Sequence, residues 1–523
     1  MRFALAALFL LIAAPAWADP PAGFDARVEA LRRSTGVPGL SIAIVENGRV
    51  TLAKGYGVKR MGGIDPITPA TIFPNGSTGK AFTSAALALL VDQGRIGWDD
   101  RVIDRLPGFQ MYDPYVTREM TVRDLLVHRS GLGLGAGDLL FVPSTNRTRA
   151  DSVRALRHIK PATSFRSGYA YDNVLYMVAG QLIESVTGQT WERFTAEKLL
   201  RPAGLRDSTT DLEGRLAALD RAEPHARPEG PVRGIGPQRV LDARRTALGA
   251  TANPAGGLAV SARDMARWLQ IQLGRGALPE GGRLWSKAQA AEMWKPAVLL
   301  PGRTLPASLK AAQPLFETYA LGWNVRDYKG ARVVSHGGAV FGFLANVVMV
   351  PERNIGFAML INSEDGELIQ GLANELLDHY LGAPTQDWPA AYAAYKRERL
   401  TAAEKTVAGR AETRVRSRPS LPLQRYAGAY ADPWYGPIAI TSGGGGLRID
   451  FKQSPGLAGR LEHWQHDTFR TRWDEPSYEN AYVTFALDAE GKVARITMKP
   501  VSPTADFSWD YQDLDFTPVA AEP

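Results

Sequence analysis

The sequence predicts an α/β protein, an α+β sandwich with one antiparallel sheet, flanking helices and an inserted helical region, followed by a small barrel-like β domain. Strand-like runs of β-branched residues occur at 39–58 and again at 319–362, with helical patterns between them. Strands at both ends of a helical stretch favour a sheet closed by the two ends of that stretch. From residue 426 onward, short strand runs alternate with Gly, Asp and Pro, which favours a separate barrel.

Composition places the chain among globular proteins and excludes one class of partner. Its 523 residues are 45% hydrophobic and 22% charged, enough for two or three domains with a large core. The formal net charge is +7, but lysines and arginines are scattered among acidic residues. Because no basic stripe alternates with aromatic residues, nucleic acid is not an expected partner.

The N-terminus has the pattern of a secretory signal peptide over residues 1–18. Arg2 precedes an apolar run from Phe3 to Ala14, and Ala16-Trp17-Ala18 precedes the expected cleavage point. No later run is long and uncharged enough to span a bilayer, so no membrane segment is expected after the signal is removed. We therefore expect a periplasmic or secreted protein, which without cysteine must be stable through its core alone.

Local patterns predict the elements of a first domain over residues 19–385. The Asn47-Gly48 pair between two β-branched runs predicts a hairpin. The glycine-rich segment 131–138 is predicted to be a mobile loop. Helical periodicity and end signals predict helices at several places: from Ser77 to about Gly94, and over 121–132, 191–200, 261–273 and 367–381.

A linker and a β domain are predicted to follow. Residues 386–420 are interpreted as a helical and basic linker, because 388–407 has a charged helical pattern and 410–423 contains basic residues and two prolines. The β domain would then cover residues 421–523. Since the candidate catalytic motifs end by about Phe343, this β domain is expected to be accessory to the chemistry, with a wall of the cleft as the most that it would supply.

Ser77 and Lys80 form a Ser-x-x-Lys motif at the mouth of a helical pattern. A lysine three residues after a serine lies one turn along the same helical face, within reach of the hydroxyl. The first N–H groups of the helix and its positive dipole end suit a developing oxyanion. The pattern indicates a nucleophilic serine whose proton a lysine helps to take up, although an N-capping serine with a solvated lysine shows the same spacing.

Two later motifs favour a nucleophilic serine over an N-capping serine, because all three motifs together resemble those of a known family. Tyr171-Asp172-Asn173 opens a helical pattern, and His336-Gly337-Gly338 ends a strand-like run. With Ser77-Thr78-Gly79-Lys80, they resemble the active-site motifs of serine β-lactamases and penicillin-binding proteins. Over about residues 24–381 the chain is similar to the class C β-lactamase-related hydrolases, which include esterases, D-amino-acid peptidases and carboxypeptidases. Its β domain resembles a module often appended to such hydrolases.

The resemblance implies roles for the matched residues. Ser77 would form an acyl-enzyme, while Lys80 and Tyr171 would share the work of general base and general acid. Asn173 would orient Lys80 or the substrate amide. His128, at the end of the helix predicted over 121–132, is interpreted as a capping or packing residue.

The strand motif is expected to supply the substrate-binding groups. The backbone N–H of Ala339 would complete an oxyanion hole with that of Ser77, and His336 and Gly338 would lie beside the acyl group. Where β-lactamases and transpeptidases carry Lys-Thr-Gly, this chain has His336-Gly337-Gly338. A largely neutral histidine binds a carboxylate less well than a lysine does, so ester, amide or peptide substrates are favoured over β-lactams.

The sequence leaves several functions open. The sequence favours two activities almost equally: a serine hydrolase that cleaves amide or peptide bonds of small peptides, and a carboxylesterase. It favours a β-lactamase less. A non-catalytic penicillin-binding sensor with the same fold is the alternative outside enzymes. No metal-ligand cluster or cofactor motif occurs in the sequence, so no metal or cofactor is expected, and the expected partner is a small-molecule or peptide substrate.

Overall fold

The computed structural model describes residues 20–519, and the predicted signal peptide lies outside them. The described chain forms an α/β domain with one large antiparallel sheet and a closed C-terminal β-barrel, which confirms the predicted fold class. Within this part of the chain, no helix combines the length and the apolar character needed to cross a membrane.

Eight of the twelve strands of the first domain build its main sheet. The strands are β1 (Gly39–Glu46), β2 (Arg49–Gly57), β3 (Phe73–Pro74), β4 (His225–Ala226), β5 (Arg239–Val240), β6 (Ala259–Val260), β7 (Val298–Leu299), β8 (Glu317–Tyr319), β9 (Asn324–Tyr328), β10 (Ala331–Val340), β11 (Phe343–Val350) and β12 (Ile355–Ile361). The sheet order is β2-β1-β12-β11-β10-β9-β8-β7. Leu40 lies opposite Ile361, so the two ends of the domain close the sheet, as predicted.

Fourteen α-helices occur among residues 20–519. They are α1 (Phe24–Thr35), α2 (Lys80–Asp92), α3 (Val102–Arg105), α4 (Pro114–Glu119), α5 (Arg149–Ala155), α6 (Val174–Thr187), α7 (Trp191–Thr195), α8 (Arg201–Ala203), α9 (Leu212–Ala217), α10 (Asn253–Gly256), α11 (Ala262–Leu273), α12 (Lys287–Met293), α13 (Glu367–Leu381) and α14 (Trp388–Glu412). The helices predicted over 261–273 and 367–381 are confirmed, and a π-helical turn, Ala196–Leu200, extends α7.

The sheet separates two hydrophobic layers. Ile42 and Ile44 of β1 pack in the layer that contains α1 and α13, whereas Ala43 and Val45 pack in the layer that contains α2, α6 and α11. This alternation is the period-2 geometry of a strand buried on both faces. Helix α2 is buried at every position from Lys80 to Leu90, which its apolar composition permits.

The chain around residue 124 differs from the prediction. Instead of a helix over 121–132, the structure has one 3₁₀ turn, Asp124–Leu126. The Asp124 carboxylate accepts hydrogen bonds from the Thr121 N–H and hydroxyl at 3.0 and 2.7 Å and pairs with Arg129 and Arg166. Such side-chain bonds compete with the helical backbone pattern. The segment 131–138 that follows is largely buried and is not a surface loop.

The barrel consists of eight antiparallel strands in chain order. They are β13 (Gly428–Asp432), β14 (Gly436–Gly443), β15 (Gly446–Phe451), β16 (Ala458–Gln465), β17 (Thr468–Trp473), β18 (Ala481–Leu487), β19 (Val493–Pro500) and β20 (Asp515–Pro518). The residues interpreted as a linker contain α14, which packs on α13. Lys396 of α14 donates to Asp365 at 2.5 Å and to Glu367 at 2.9 Å, so this helix is docked on the first domain.

Candidate active site

The Ser77 hydroxyl and the Lys80 amine meet at the start of α2. A 3₁₀ turn, Gly76–Gly79, runs directly into the helix. The Lys80 Nζ atom lies 3.0 Å from Ser77 Oγ, 2.6 Å from Asn173 Oδ1 and 3.1 Å from the Ala255 carbonyl oxygen. The amide and carbonyl oxygens can only accept hydrogen bonds, so a neutral amine donates its two N–H groups to them and directs its lone pair at Ser77. This geometry suits proton transfer from the serine to the lysine.

The surroundings of Lys80 bring its titration to neutral pH. Its side chain is completely buried, and burial lowers the pKa of the ammonium to about 7, while the carboxyl groups of Asp138 and Asp172 oppose this change. The Nζ atom also lies 4.8 Å from the ring centre of Tyr171 and 5.1 Å from that of Tyr176. A substantial neutral fraction is therefore available near pH 7.

Tyr171 is placed to donate a proton. Burial raises the pKa of its hydroxyl well above the usual value, and Ser77 is near enough to oppose this in part. Within residues 20–519, however, this buried hydroxyl has no partner in hydrogen-bonding geometry. Because it stays protonated at neutral pH, Tyr171 suits a proton donor to a leaving group better than a base in the resting site.

A buried network behind Tyr171 holds its ring in place. The His128 ring centre lies 4.1 Å from that of Tyr171, and His128 Nδ1 accepts the Asp172 N–H at 3.1 Å. Ser130 Oγ donates to Asp172 Oδ2 at 2.7 Å. Burial lowers the pKa of His128 well below its ordinary value, so the imidazole is neutral. The geometry agrees with the structural role expected for His128.

Strand β10 passes close to the nucleophile. A methyl group built on Gly76 would lie 2.6 Å from the Ala339 nitrogen, and one built on Gly338 would lie 2.0 Å from the Asn75 carbonyl oxygen. The two backbones are therefore in direct contact, and the nitrogens of Ser77 and Ala339 lie at this contact, since a methyl group built on Gly338 would lie 3.2 Å from the Ser77 nitrogen. An oxyanion hole made by these two N–H groups requires this proximity.

His336 is engaged on both ring nitrogens. Nδ1 lies 2.5 Å from the Gly337 carbonyl oxygen, and Nε2 lies 2.8 Å from the Tyr319 hydroxyl. Burial lowers the pKa of the ring to about 3, so the neutral imidazole donates through Nδ1 and accepts the Tyr319 proton at Nε2. This leaves no free nitrogen for a substrate, although the residue does line the cleft.

A cleft of about 710 Å³ opens in front of Ser77. Its walls include Tyr171, Asn173, His336 and the strand residues 337–339, so the structure brings the predicted site residues together. It also includes three residues of the barrel, Asp506, Phe507 and Ser508. The first domain therefore does not form the cleft alone, and a loop of the β domain supplies part of its wall.

Sequence reasoning missed two further groups. Asp138, fully buried at the end of the glycine-rich segment, accepts a 2.8 Å hydrogen bond from Asn173 Nδ2. The Ala255 carbonyl binds Lys80. The only local signal for Asp138 was its position directly before the apolar pair Leu139-Leu140. A carboxylate that is buried with such a pair requires a hydrogen-bonding partner.

The fold and the Ser77–Lys80 pair are those of the serine β-lactamase and penicillin-binding-protein superfamily. Residues 24–382 match the family model described as Beta-lactamase, so the chain belongs to this family of serine hydrolases, which confirms the resemblance. Residues 412–518 match a second model, a domain of unknown function (DUF3471).

Relatives cover most of the chain. An unguisins hydrolase of Aspergillus campestris is 28% identical over 427 residues, 77% of this chain and 74% of that protein. Penicillin-binding protein 4 of Amycolatopsis lactamdurans is 30% identical over 349 residues, 65% of this chain and 85% of that protein. The structure of an octameric penicillin-binding protein homologue from Pyrococcus abyssi aligns with a TM-score of 0.57 at 22% identity, covering 92% and 98% of the two chains.

Substituting Gly338 by alanine should separate β10 from the nucleophile turn. The added methyl group cannot fit 2.0 Å from the Asn75 carbonyl oxygen, so we expect a loss of about 1 to 3 kcal/mol in unfolding free energy and about 100-fold slower acylation. Gly337→Ala is the matched control, because within the described part of the chain its methyl group would meet only the Ala345 carbonyl oxygen at 4.0 Å. Equal melting temperatures and equal labelling rates by a small fluorophosphonate would contradict this packing.

The buried amine also predicts the pH dependence of activity. If Lys80 must be neutral to accept the serine proton, kcat/KM should rise with pH, be half-maximal near the pKa of about 7 and level off above it. Lys80→Arg should lose at least about 100-fold, because a guanidinium stays protonated. A profile flat from about pH 5 to 9, or an active arginine variant, would exclude Lys80 as the base.

Proposed function

We propose that this protein is a class C-related serine hydrolase that cleaves amide bonds of small peptides through an acyl-enzyme on Ser77. The observation that carries the proposal is the Ser77–Lys80 contact at 3.0 Å beside a free strand edge. We also propose that it acts in the periplasm or outside the cell, because residues 1–18 have the pattern of a signal peptide.

The edge of β10 favours a peptide over a small ester. β9 pairs with β10 only from Ala331 to Ser335, so in the described chain residues 336–340 have no strand on that side. An extended peptide could form antiparallel hydrogen bonds with this edge. The cleft continues into a cavity of about 400 Å³ between α14 and the barrel, which extends the space available along the strand.

The charge of the cleft disfavours substrates with a free carboxylate near the scissile bond. None of the described residues that line it is a lysine or an arginine, and Asp506 is its acidic side chain. His336, which replaces the family's lysine, is neutral and hydrogen-bonded on both nitrogens. In front of Ser77 a penicillin carboxylate would therefore lack the strand lysine that binds it in β-lactamases, which supports a peptide or ester substrate. The cations Arg233, Lys396 and Arg399 line the adjoining cavity instead.

The proposed reaction has two halves. Ser77 Oγ attacks the substrate carbonyl carbon while Lys80 Nζ takes its proton, and the carbonyl oxygen becomes an oxyanion held by the N–H groups of Ser77 and Ala339. Tyr171 then donates its proton to the leaving nitrogen and the C–N bond breaks. Lys80 returns the proton that it took to the tyrosinate. A water molecule then attacks the acyl ester while Lys80 takes one of its protons, and the ester C–O bond breaks as that proton passes to Ser77 Oγ.

Mutation of Ser77 tests the nucleophile. Ser77→Ala should lose at least about 1,000-fold in turnover with an unchanged melting temperature, because only the attacking atom is removed. Intact-protein mass spectrometry with a fluorophosphonate should find one adduct on wild type and on Ser84→Ala, a control at a buried serine of α2. A stoichiometric adduct on Ser77→Ala would overturn the assignment.

Matched substrates test the preference for peptides. Extending a peptide p-nitroanilide by two residues along the β10 edge should raise kcat/KM about tenfold. One or two added backbone hydrogen bonds contribute about this much binding free energy. Methylating the added backbone nitrogens should cancel this gain. Turnover of the corresponding p-nitrophenyl ester without any amide turnover would instead establish a carboxylesterase, and efficient turnover of nitrocefin would establish a β-lactamase.

A further inference from the structure

The barrel reaches the active site through the loop between β19 and β20. The Phe507 ring centre lies 5.8 Å from that of Tyr171. Asp510 Oδ2 accepts the Gly137 N–H at 2.6 Å. A methyl group built on Gly135 would lie 2.7 Å from the Phe507 carbonyl oxygen, and this glycine has a φ of +71°. Close backbone packing at Gly135 thus docks the loop on segment 131–138.

A chain of hydrogen bonds leads from this loop to the nucleophile. Ser508 Oγ donates to Asp138 Oδ2 at 2.7 Å, and Asn173 Nδ2 donates to the same oxygen at 2.8 Å. The Asn173 Oδ1 atom then accepts from Lys80 Nζ at 2.6 Å, and Lys80 lies 3.0 Å from Ser77 Oγ. The first three links join distant segments of the chain, and the last lies within the nucleophile turn and the start of α2.

Asp138 decides which way the Asn173 amide faces. Its carboxylate accepts the NH₂ group, so the amide oxygen must face Lys80. If the Asn173 amide were reversed, its NH₂ group would face the N–H groups of Lys80. Two donors cannot form a hydrogen bond, so the Lys80 amine would lose an acceptor. An orientation of the amine with its lone pair at Ser77 therefore depends on Asp138.

We propose that Asp138 is a positioning residue for Lys80, and that Ser508 of the barrel holds Asp138 in its working state, so the barrel belongs to the catalytic unit. This inference rests on the proposed function, in which Lys80 is the base.

Electrostatics give the proposal a distinctive readout. Burial raises the pKa of Asp138 above its ordinary value, whereas the hydrogen bonds from Ser508 and Asn173 and the charge of Lys80 oppose this rise and favour the carboxylate form. The titratable groups that face Asp138 are Lys80 on α2, Tyr171 before α6, and Asp506 and Asp510 on the barrel loop. An anionic Asp138 stabilises the ammonium form of Lys80, so weakening that anion should lower the pKa of Lys80 and make it a weaker base.

Ser508→Ala in the full chain tests the proposal. Loss of one donor to Asp138 should lower the plateau kcat about three- to tenfold and move the acid limb of the pH profile down by about 0.5 pH units. KM should stay unchanged. Asp138→Asn should move the limb further in the same direction. Ser502→Ala is the matched control, because among residues 20–519 that hydroxyl hydrogen-bonds only with Thr504 of the same loop.

The outcomes are separable. A lower plateau with a shifted acid limb in Ser508→Ala, absent from Ser502→Ala, supports the proposal. A folded Ser508→Ala with the kcat and acid limb of wild type overturns it, as does a loss of kcat with an unmoved limb. If Asp138→Asn does not fold, Ser508→Ala alone decides. Fluorophosphonate labelling of Ser77 in wild type tests the proposed function separately, because it is measured with Ser508 unchanged.

Discussion

The site depends on the burial of one lysine amine. An ammonium removed from water is costly unless other groups compensate for the lost hydration. Here two oxygen acceptors bind the Lys80 amine, and Asp138 and Asp172 stabilise its charged form. The balance leaves the pKa of Lys80 at about 7, where both protonation states are accessible. The buried helix α2 keeps the amine beside Ser77, so the core of the domain supports the chemistry directly.

Close contact between three backbone segments is the second constraint. Gly76, Gly256 and Gly338 meet where β10 and α10 approach the nucleophile turn, and a methyl group on Gly256 would lie 3.0 Å from the Gly76 carbonyl carbon. Glycine is required here because the backbones themselves touch. Two amide N–H groups from different segments can then converge on one oxygen, an arrangement whose strength comes from being assembled before the substrate binds.

The barrel changes the interpretation of the domain architecture. A domain that follows the last motif and a charged helix would ordinarily be regarded as an appendage. Instead, Phe507 packs on Tyr171 and Ser508 binds Asp138, so a loop of the barrel forms part of the cleft wall. This position gives the barrel access both to the substrate and to the groups around the base.

Local patterns were sufficient for the hairpin at Asn47-Gly48, the nucleophile helix and the motif set, because each of these signals is contained in a few neighbouring residues. The same reasoning gave a helix over 121–132 that does not form, since Asp124 binds arginines and a threonine instead. Asp138 and Ser508 are separated by 370 residues, and no spacing rule connects them. Their contact, and with it the environment of Lys80, arises only when the barrel packs against the first domain, because a buried carboxylate takes its partners from whatever the tertiary fold brings within hydrogen-bonding distance.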